Sequence, residues 1–158
     1  MSRLPELTAK VDAFFNRVAA RHGADMQCAT GCSDCCHVRL TITSVEAAAI
    51  RELVASWPAA QRAELAAQGP TEHCAALDPG TGRCRIYAAR PVVCRSHGVP
   101  VRLGERSLPV WSACFRNFHH TEPDPDCILD QGTLSTLLLA IDGGGERVDL
   151  AALLAELC

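Results

Sequence analysis

Aromatic residues make up only 4% of the sequence, with a single tyrosine and two tryptophans, and no stripe of lysine and arginine matches a phosphate backbone; the net charge is −3 and the pI near 6.0. Base stacking and phosphate neutralisation carry most nucleic-acid binding, so a nucleic-acid partner is not expected. No run approaches the ~18 apolar residues of a membrane span. The most apolar stretch runs from Leu134 to Ile141, and a membrane role is not expected either. Residues 1–15 carry Glu6, Lys10 and Asp12 among their apolar positions and lack the continuous apolar core that a signal peptide needs. A cytoplasmic location, where thiols stay reduced, is the expectation. Also missing are a nucleophile elbow, a phosphate loop, a dinucleotide fingerprint and a paired-carboxylate site. Gly143-Gly144-Gly145 has neither the pattern nor the flanks of a nucleotide motif.

Against these absences stand ten cysteines in 158 residues. That is about 6%, above ordinary usage but below the roughly 8–10% of short secreted disulfide scaffolds. A chain of this length buries enough surface to fold without staples. Cys28, Cys32, Cys35 and Cys36 fall within nine residues, and Cys74, Cys84, Cys94 and Cys114 follow. Left as bare thiols they would be an oxidation hazard. A metal site is the expected resolution, with a disulfide framework as the competing one.

The remaining pattern is mainly helical. Leu7, Val11, Phe14, Phe15 and Val18 recur at helical spacing and His22-Gly23 supplies a stop, so an amphipathic helix is predicted over residues 5–22. Residues 23–38 read as a loop or a single irregular turn, although Cys28, Cys32 and Cys35 would also share one face of a short helix. Leu40, Ile42 and Val45 suggest a brief extended stretch. Thr43 with Glu46 forms a capping box that opens a helix from Val45 to Ser56, ahead of Pro58. An Ala-rich helix follows at 59–68 and stops at Gly69-Pro70. Between 70 and 120 the density of Gly and Pro forbids long regular elements. Residues 78–82 (Asp78-Pro79-Gly80-Thr81-Gly82) form a tight turn, and Gly104-Glu105 is placed to turn a small hairpin between residues 99–103 and 107–110. A Pro/Asp linker spans 122–126. Two apolar helical patterns at 129–157, separated by the three glycines, predict a C-terminal helical hairpin. The Phe14-Phe15 pair, Trp57 and the Leu137-Leu138-Leu139 run are expected in the core. The expected fold is one small, mainly α domain over 1–158, with a loop-rich, metal-stapled centre at 28–114.

Cysteines three or four apart can place their sulfurs on one ion, because the intervening residues turn the chain and aim backbone N–H groups at the thiolates. Cys35-Cys36 is the exception: adjacent side chains generally diverge, so this pair ligates most easily at two ions or two corners of a cluster. The turn at 78–82 folds Cys74 back toward Cys84. Four thiolates on Zn²⁺, or on an oxidised four-iron cluster, leave a net charge of −2. Arg85, Arg90 and Arg95 are placed to compensate it with guanidinium donors to the sulfurs; the competing reading makes them ordinary surface arginines. His37 and His97 lie close enough to candidate ligands to coordinate, though a hydrogen-bonded histidine beside a site is commoner. His73 and His119-His120 are weaker candidates. His22 suits a helix end. Cys114 is as suited to being a small buried hydrophobe beside Trp111 and Phe115 as a ligand. Cys127 has no obvious role, and Cys158 reads as a terminal thiol.

The C-x3-C-x2-C-C run at 28–36, followed by Cys84-Arg85-Ile86-Tyr87, Arg90-Pro91 and Cys94-Arg95, resembles the cysteine-cluster family often called YkgJ. Its members are described as zinc- or iron-chelating domains and as iron–sulfur proteins, and the same cluster occurs in flagellin lysine N-methylases. The resemblance covers about residues 28–95. It implies Cys28, Cys32, Cys35, Cys36, Cys74, Cys84 and Cys94 as ligands; Cys114 joins them only because eight ligands divide into two sets of four. It also implies zinc or iron, or a 4Fe-4S cluster, as cofactor and metal ions as the partner. Three functions stay open: a metal-binding protein with a structural or metal-handling task, a redox or modifying enzyme associated with methylation and built on an iron–sulfur centre, and a partner-binding adaptor stabilised by metal.

Overall fold

The computed structural model describes residues 2–68, 71–104 and 110–158. The chain sorts into two compact units, one built from Met1–Ala29 and Val92–Gly143, the other from Thr30–Pro91 and Gly144–Cys158. Each closes its own apolar core, and helices dominate both.

In the first unit, α1 (Leu4–Arg21) buries Leu4, Leu7, Val11 and Val18, positions that line one face at the 3.6-residue period. The Ser2 hydroxyl accepts the Leu4 amide at 3.1 Å and so satisfies one of the donors that a helix start leaves open. Helix α1 packs on α4 (Val92–Ser96) and on α5 (Gln131–Asp142). A small three-stranded sheet completes the unit: β4 (Val101–Arg102) pairs antiparallel with β5 (Trp111–Ser112) and parallel with β6 (Leu129–Asp130). Val18, Val99, Phe118 and Cys127 form a buried cluster, with Phe14, Phe15, Trp111 and Leu129 packed around it. The first arm of the expected hairpin is thus present as β4. Its partner strand lies at 111–112, beyond the expected 107–110, and residues 105–109, with Glu105 of the turn, lie outside the described residues.

The second unit is organised by α2 (Ser44–Ala55), α3 (Ala59–Ala67) and α6 (Leu150–Glu156). Ile42, Ile50, Val54, Leu65, Ile86, Leu150 and Leu153 build its core, with Trp57 packed against it. The expected stop for α3 at Gly69-Pro70 lies outside the described residues. Strand β1 (Thr41–Ile42) pairs antiparallel with β7 (Val148–Asp149), and β2 (Leu77–Asp78) with β3 (Arg83–Cys84). Asp149 caps α6 by accepting the Ala152 amide at 2.9 Å.

Residues 23–38 contain two isolated 3-10 turns, Gly23–Asp25 and Asp34–Cys36, with irregular chain between them, which agrees with the loop reading. The two C-terminal helices form where expected, with Gly143 in left-handed geometry closing α5. They fall in different units: α5 packs on α1 and β4, α6 on α3 and β7. One core assignment is corrected. Leu137 and Leu139 are about half exposed, and Leu134 is the buried residue of α5. Three consecutive helical residues fan over about 200° and cannot all face one core.

The capping box at α2 fixes the start of that helix. The Glu46 carboxylate accepts from both the amide (2.9 Å) and the hydroxyl (2.8 Å) of Thr43, and both residues are buried. Substituting Glu46→Ala strands that amide away from water, so urea unfolding should show a loss of about 2 kcal/mol. An unchanged midpoint would contradict the structural role given to this pair.

Candidate metal centre

In the second unit two segments of irregular chain bring thiols together. The first is the 3-10 turn Asp34–Cys36, closed by the Cys36 amide on the Ser33 carbonyl at 2.8 Å. The second is the β2–β3 hairpin with Cys74 just before it. In that hairpin Asp78 holds the turn, its carboxylate accepting from the Gly80 amide (3.0 Å) and the Thr81 hydroxyl (2.8 Å) while its carbonyl accepts the Gly82 amide. The register sets Leu77 opposite Cys84.

Two backbone contacts lock the segments to each other. The Cys74 amide donates to the Cys36 carbonyl at 2.6 Å. Gly82, at φ +67°, lies so close to Gly31 that an added Cβ would fall 2.5 Å from the Gly31 carbonyl oxygen. A side chain there would cost backbone strain and part the two loops. The Gly-Thr-Gly run at 80–82 is therefore needed for a close approach as well as for a turn.

The Cys36 thiol is where the two segments meet electrostatically. Its pKa is pushed far up, first by a hydrogen bond with the Cys35 thiol, then by burial and by the negative charge that Cys35, Cys74 and Cys84 would carry. Adjacent Cys35 and Cys36, expected to diverge, are in hydrogen-bond contact. Free rotation about χ1 lets two such short side chains turn toward each other. Burial also raises Cys74, against the pull of the Ala76 and Leu77 amides on its sulfur. Cys84 is pushed up to about 11 by burial, offset by the Ile86 amide and the Arg90 guanidinium and reinforced by Cys74 and Cys35. Backbone N–H groups aimed at cysteine sulfurs are the arrangement expected around a thiolate ligand. The charges that Cys35, Cys74 and Cys84 would carry thus all bear on Cys36. As bare thiols they oppose each other's ionisation; a divalent, thiophilic cation removes that opposition, so the donor set fits zinc or iron.

Of the three arginines singled out by sequence, Arg90 lies near Cys84 and stacks on Tyr87, its guanidinium carbon 4.1 Å from the ring centroid. Arg85 approaches two carboxylates, Glu64 at 3.5 Å and Asp78 at 3.7 Å. Arg95 pairs with Asp12 at 2.6 Å. The two histidines flanking the thiol set, His37 and His73, meet edge to face at 6.4 Å; the His73 Nδ1 is 3.1 Å from the Cys74 carbonyl. Cys32 and His97 are exposed.

In the first unit, Cys28, Cys94 and Cys114 belong to segments joined through Asn117, which the sequence reading did not single out. The Asn117 side chain donates to the Cys28 sulfur (3.3 Å) and the Gly98 carbonyl (2.8 Å) and accepts the Gln27 amide (2.8 Å), while its backbone amide donates to the Cys114 carbonyl. Gly98, four residues after Cys94, has φ +104° and would place a Cβ 2.6 Å from the Cys28 sulfur. No disulfide forms among the ten cysteines, all of them described, and Cys127 is buried in the core cluster.

No curated protein and no solved structure matches the chain. The family model CxxCxxCC, described as "putative zinc- or iron-chelating domain", matches residues 27–114, which is more than half of the sequence and runs beyond the motif resemblance to include Cys114. The chain therefore belongs to the CxxCxxCC family of zinc- or iron-chelating domains.

Proposed function

We propose that the protein is a metal-binding module whose principal centre is the set Cys35, Cys36, Cys74 and Cys84, holding zinc or iron in a structural or metal-handling role. The observation that carries this reading is the contact that sets the Cys74 segment against Cys36, the Cys74 amide donating to the Cys36 carbonyl at 2.6 Å, within the stretch that the family model matches. A bound cation would supply the charge that allows all four sulfurs to ionise, and its bonds would staple the 3-10 turn to the β2–β3 hairpin. Arg90 is the guanidinium that would offset the charge of the loaded centre; Arg85 and Arg95 would act through the carboxylates they engage. Cys28, Cys32, Cys94 and Cys114 stay candidate ligands on the strength of the motif and the family match. Free thiols in this number suit a reducing, cytoplasmic setting.

One feature favours a working centre over a purely structural one. A cavity of about 300 Å³ borders Cys74 and is lined by Leu40, Leu65, Leu150 and Leu154, with Thr71 and His73 supplying polar groups. That is the lower end of the size of small-molecule sites and would give the second reading, a redox or modifying enzyme, room for a small substrate beside Cys74.

Anaerobically purified protein should contain tightly bound zinc or iron by elemental analysis. Brown material with inorganic sulfide would identify a cluster, and colourless zinc protein a mononuclear site. Metal-free protein would overturn the proposal. Cys84→Ser should lower metal affinity at least tenfold, and Arg90→Ala tenfold to a hundredfold, as loss of a charge partner does at such sites; Cys158→Ser should change nothing. Equal metal retention in all three would contradict the grouping.

Because burial holds Cys84 near 11 and raises Cys74 as well, the metal-free thiols are protonated at neutral pH and loading must expel their protons. In weakly buffered solution zinc addition should acidify the medium, and affinity should fall steeply below neutral pH. Uptake without proton release would show that other ligands bind the metal.

A further inference from the structure

The first unit carries a second group of ligand atoms that the cysteine motif does not include. His22 at the end of α1, Asp124 and Cys127 present one nitrogen, one carboxylate oxygen and one sulfur, all within 4.8 Å of one another. His22 precedes the family match at 27–114 and the other two follow it. We propose that these three residues form a separate site for a borderline divalent cation of the Zn²⁺ or Co²⁺ class, with a solvent ligand completing the coordination.

The imidazole is already oriented for such a role. Its Nε2 lies 3.5 Å from the Asp124 carboxylate and accepts the Asp124 amide at 3.3 Å; since an amide can only donate, Nε2 carries the lone pair, which a cation would take over from that weak hydrogen bond. Its Nδ1 faces the Asp25 carboxylate at 3.6 Å, which is in turn held by the Thr121 hydroxyl at 2.8 Å. A carboxylate behind the ring that keeps the proton on the far nitrogen is the usual partner of a metal-binding histidine. Phe118 packs on the ring at 5.2 Å, and Cys127 is fully buried, so two donors are fixed in apolar surroundings while Asp124 opens to solvent. Mixed N, O and S donors suit zinc and cobalt better than magnesium or calcium. Three protein ligands leave a fourth position for water.

Arg21 supplies the opposing element. Its Nη1 lies 2.6 Å from Asp126, 3.6 Å from Asp124 and 3.9 Å from the Cys127 sulfur, so the guanidinium places its positive charge beside two of the three donors. It is half-exposed on the last turn of α1 and can swing aside. A cation at this site must compete with it, which predicts opposite effects from neighbouring substitutions.

The test is Co²⁺ titration of the purified full chain, read by the thiolate charge-transfer band and the visible d–d bands, with stoichiometry by elemental analysis. Relative to wild type, Cys127→Ser and His22→Gln should each lose about one equivalent, Cys127→Ser losing its charge-transfer intensity as well. Asp124→Asn, at an exposed side chain that does not threaten folding, should weaken that equivalent about tenfold or more, and Arg21→Ala should tighten it. Cys84→Ser should retain it, which separates this site from the four-thiol centre. Unchanged cobalt binding in Asp124→Asn and Arg21→Ala, with both variants folded by circular dichroism, would overturn the proposal.

Discussion

The cost of ionising Cys36, Cys74 and Cys84 beside one another is the constraint on which the proposed centre depends. A backbone contact sets the Cys74 segment against Cys36, and burial and neighbouring sulfur charge oppose the ionisation of Cys36, Cys74 and Cys84. Amides at the Cys74 and Cys84 sulfurs and the guanidinium of Arg90 offset part of that cost but not all of it. A cation bound by these thiols would link the occupancy of the centre to the stability of the fold.

The surrounding architecture serves that assembly. The second unit closes its core with three helices and pairs β1 with β7, a scaffold from which two irregular segments project toward one another. The hairpin segment is anchored to the core by Ala76 and Ile86, and the approach of the two segments is held by the Asp78 turn, the Cys74 amide on Cys36, and the glycine contact at 31 and 82. The first unit treats Cys28 the same way, with Asn117 satisfying three backbone or sulfur partners at once. In both units the polar wiring that positions sulfur is backbone-directed, so it is set by turn chemistry more than by side-chain packing.

How much of this could be read in the sequence follows from how local each feature is. Helix α1, the Thr43–Glu46 box and the turn at 78–82 depend on residues within a few positions of one another, and all three are found where their patterns place them. The family was legible for the same reason, since its motifs are short and dense in cysteine. Two-residue strands carry no periodicity, so the pairing of Thr41 with Asp149 across more than a hundred residues left no trace. The turn at 78–82 showed that Cys74 folds back toward Cys84, but counting eight ligands as two fours said nothing about the approach of Cys36 to Cys74, which depends on a backbone contact between distant segments. The triple leucine at 137–139 misled because a run of apolar residues has no face. Asn117, His22 and Asp124 are common residue types whose roles exist only in three dimensions.

X-ray absorption at the metal edge of the anaerobically purified protein tests the central claim most directly, because it reads the donor atoms themselves. A principal centre built from Cys35, Cys36, Cys74 and Cys84 predicts a first shell of sulfur at about 2.3 Å, with the sulfur count reduced in Cys36→Ser. A shell dominated by nitrogen and oxygen, or one unchanged by that substitution, would contradict it.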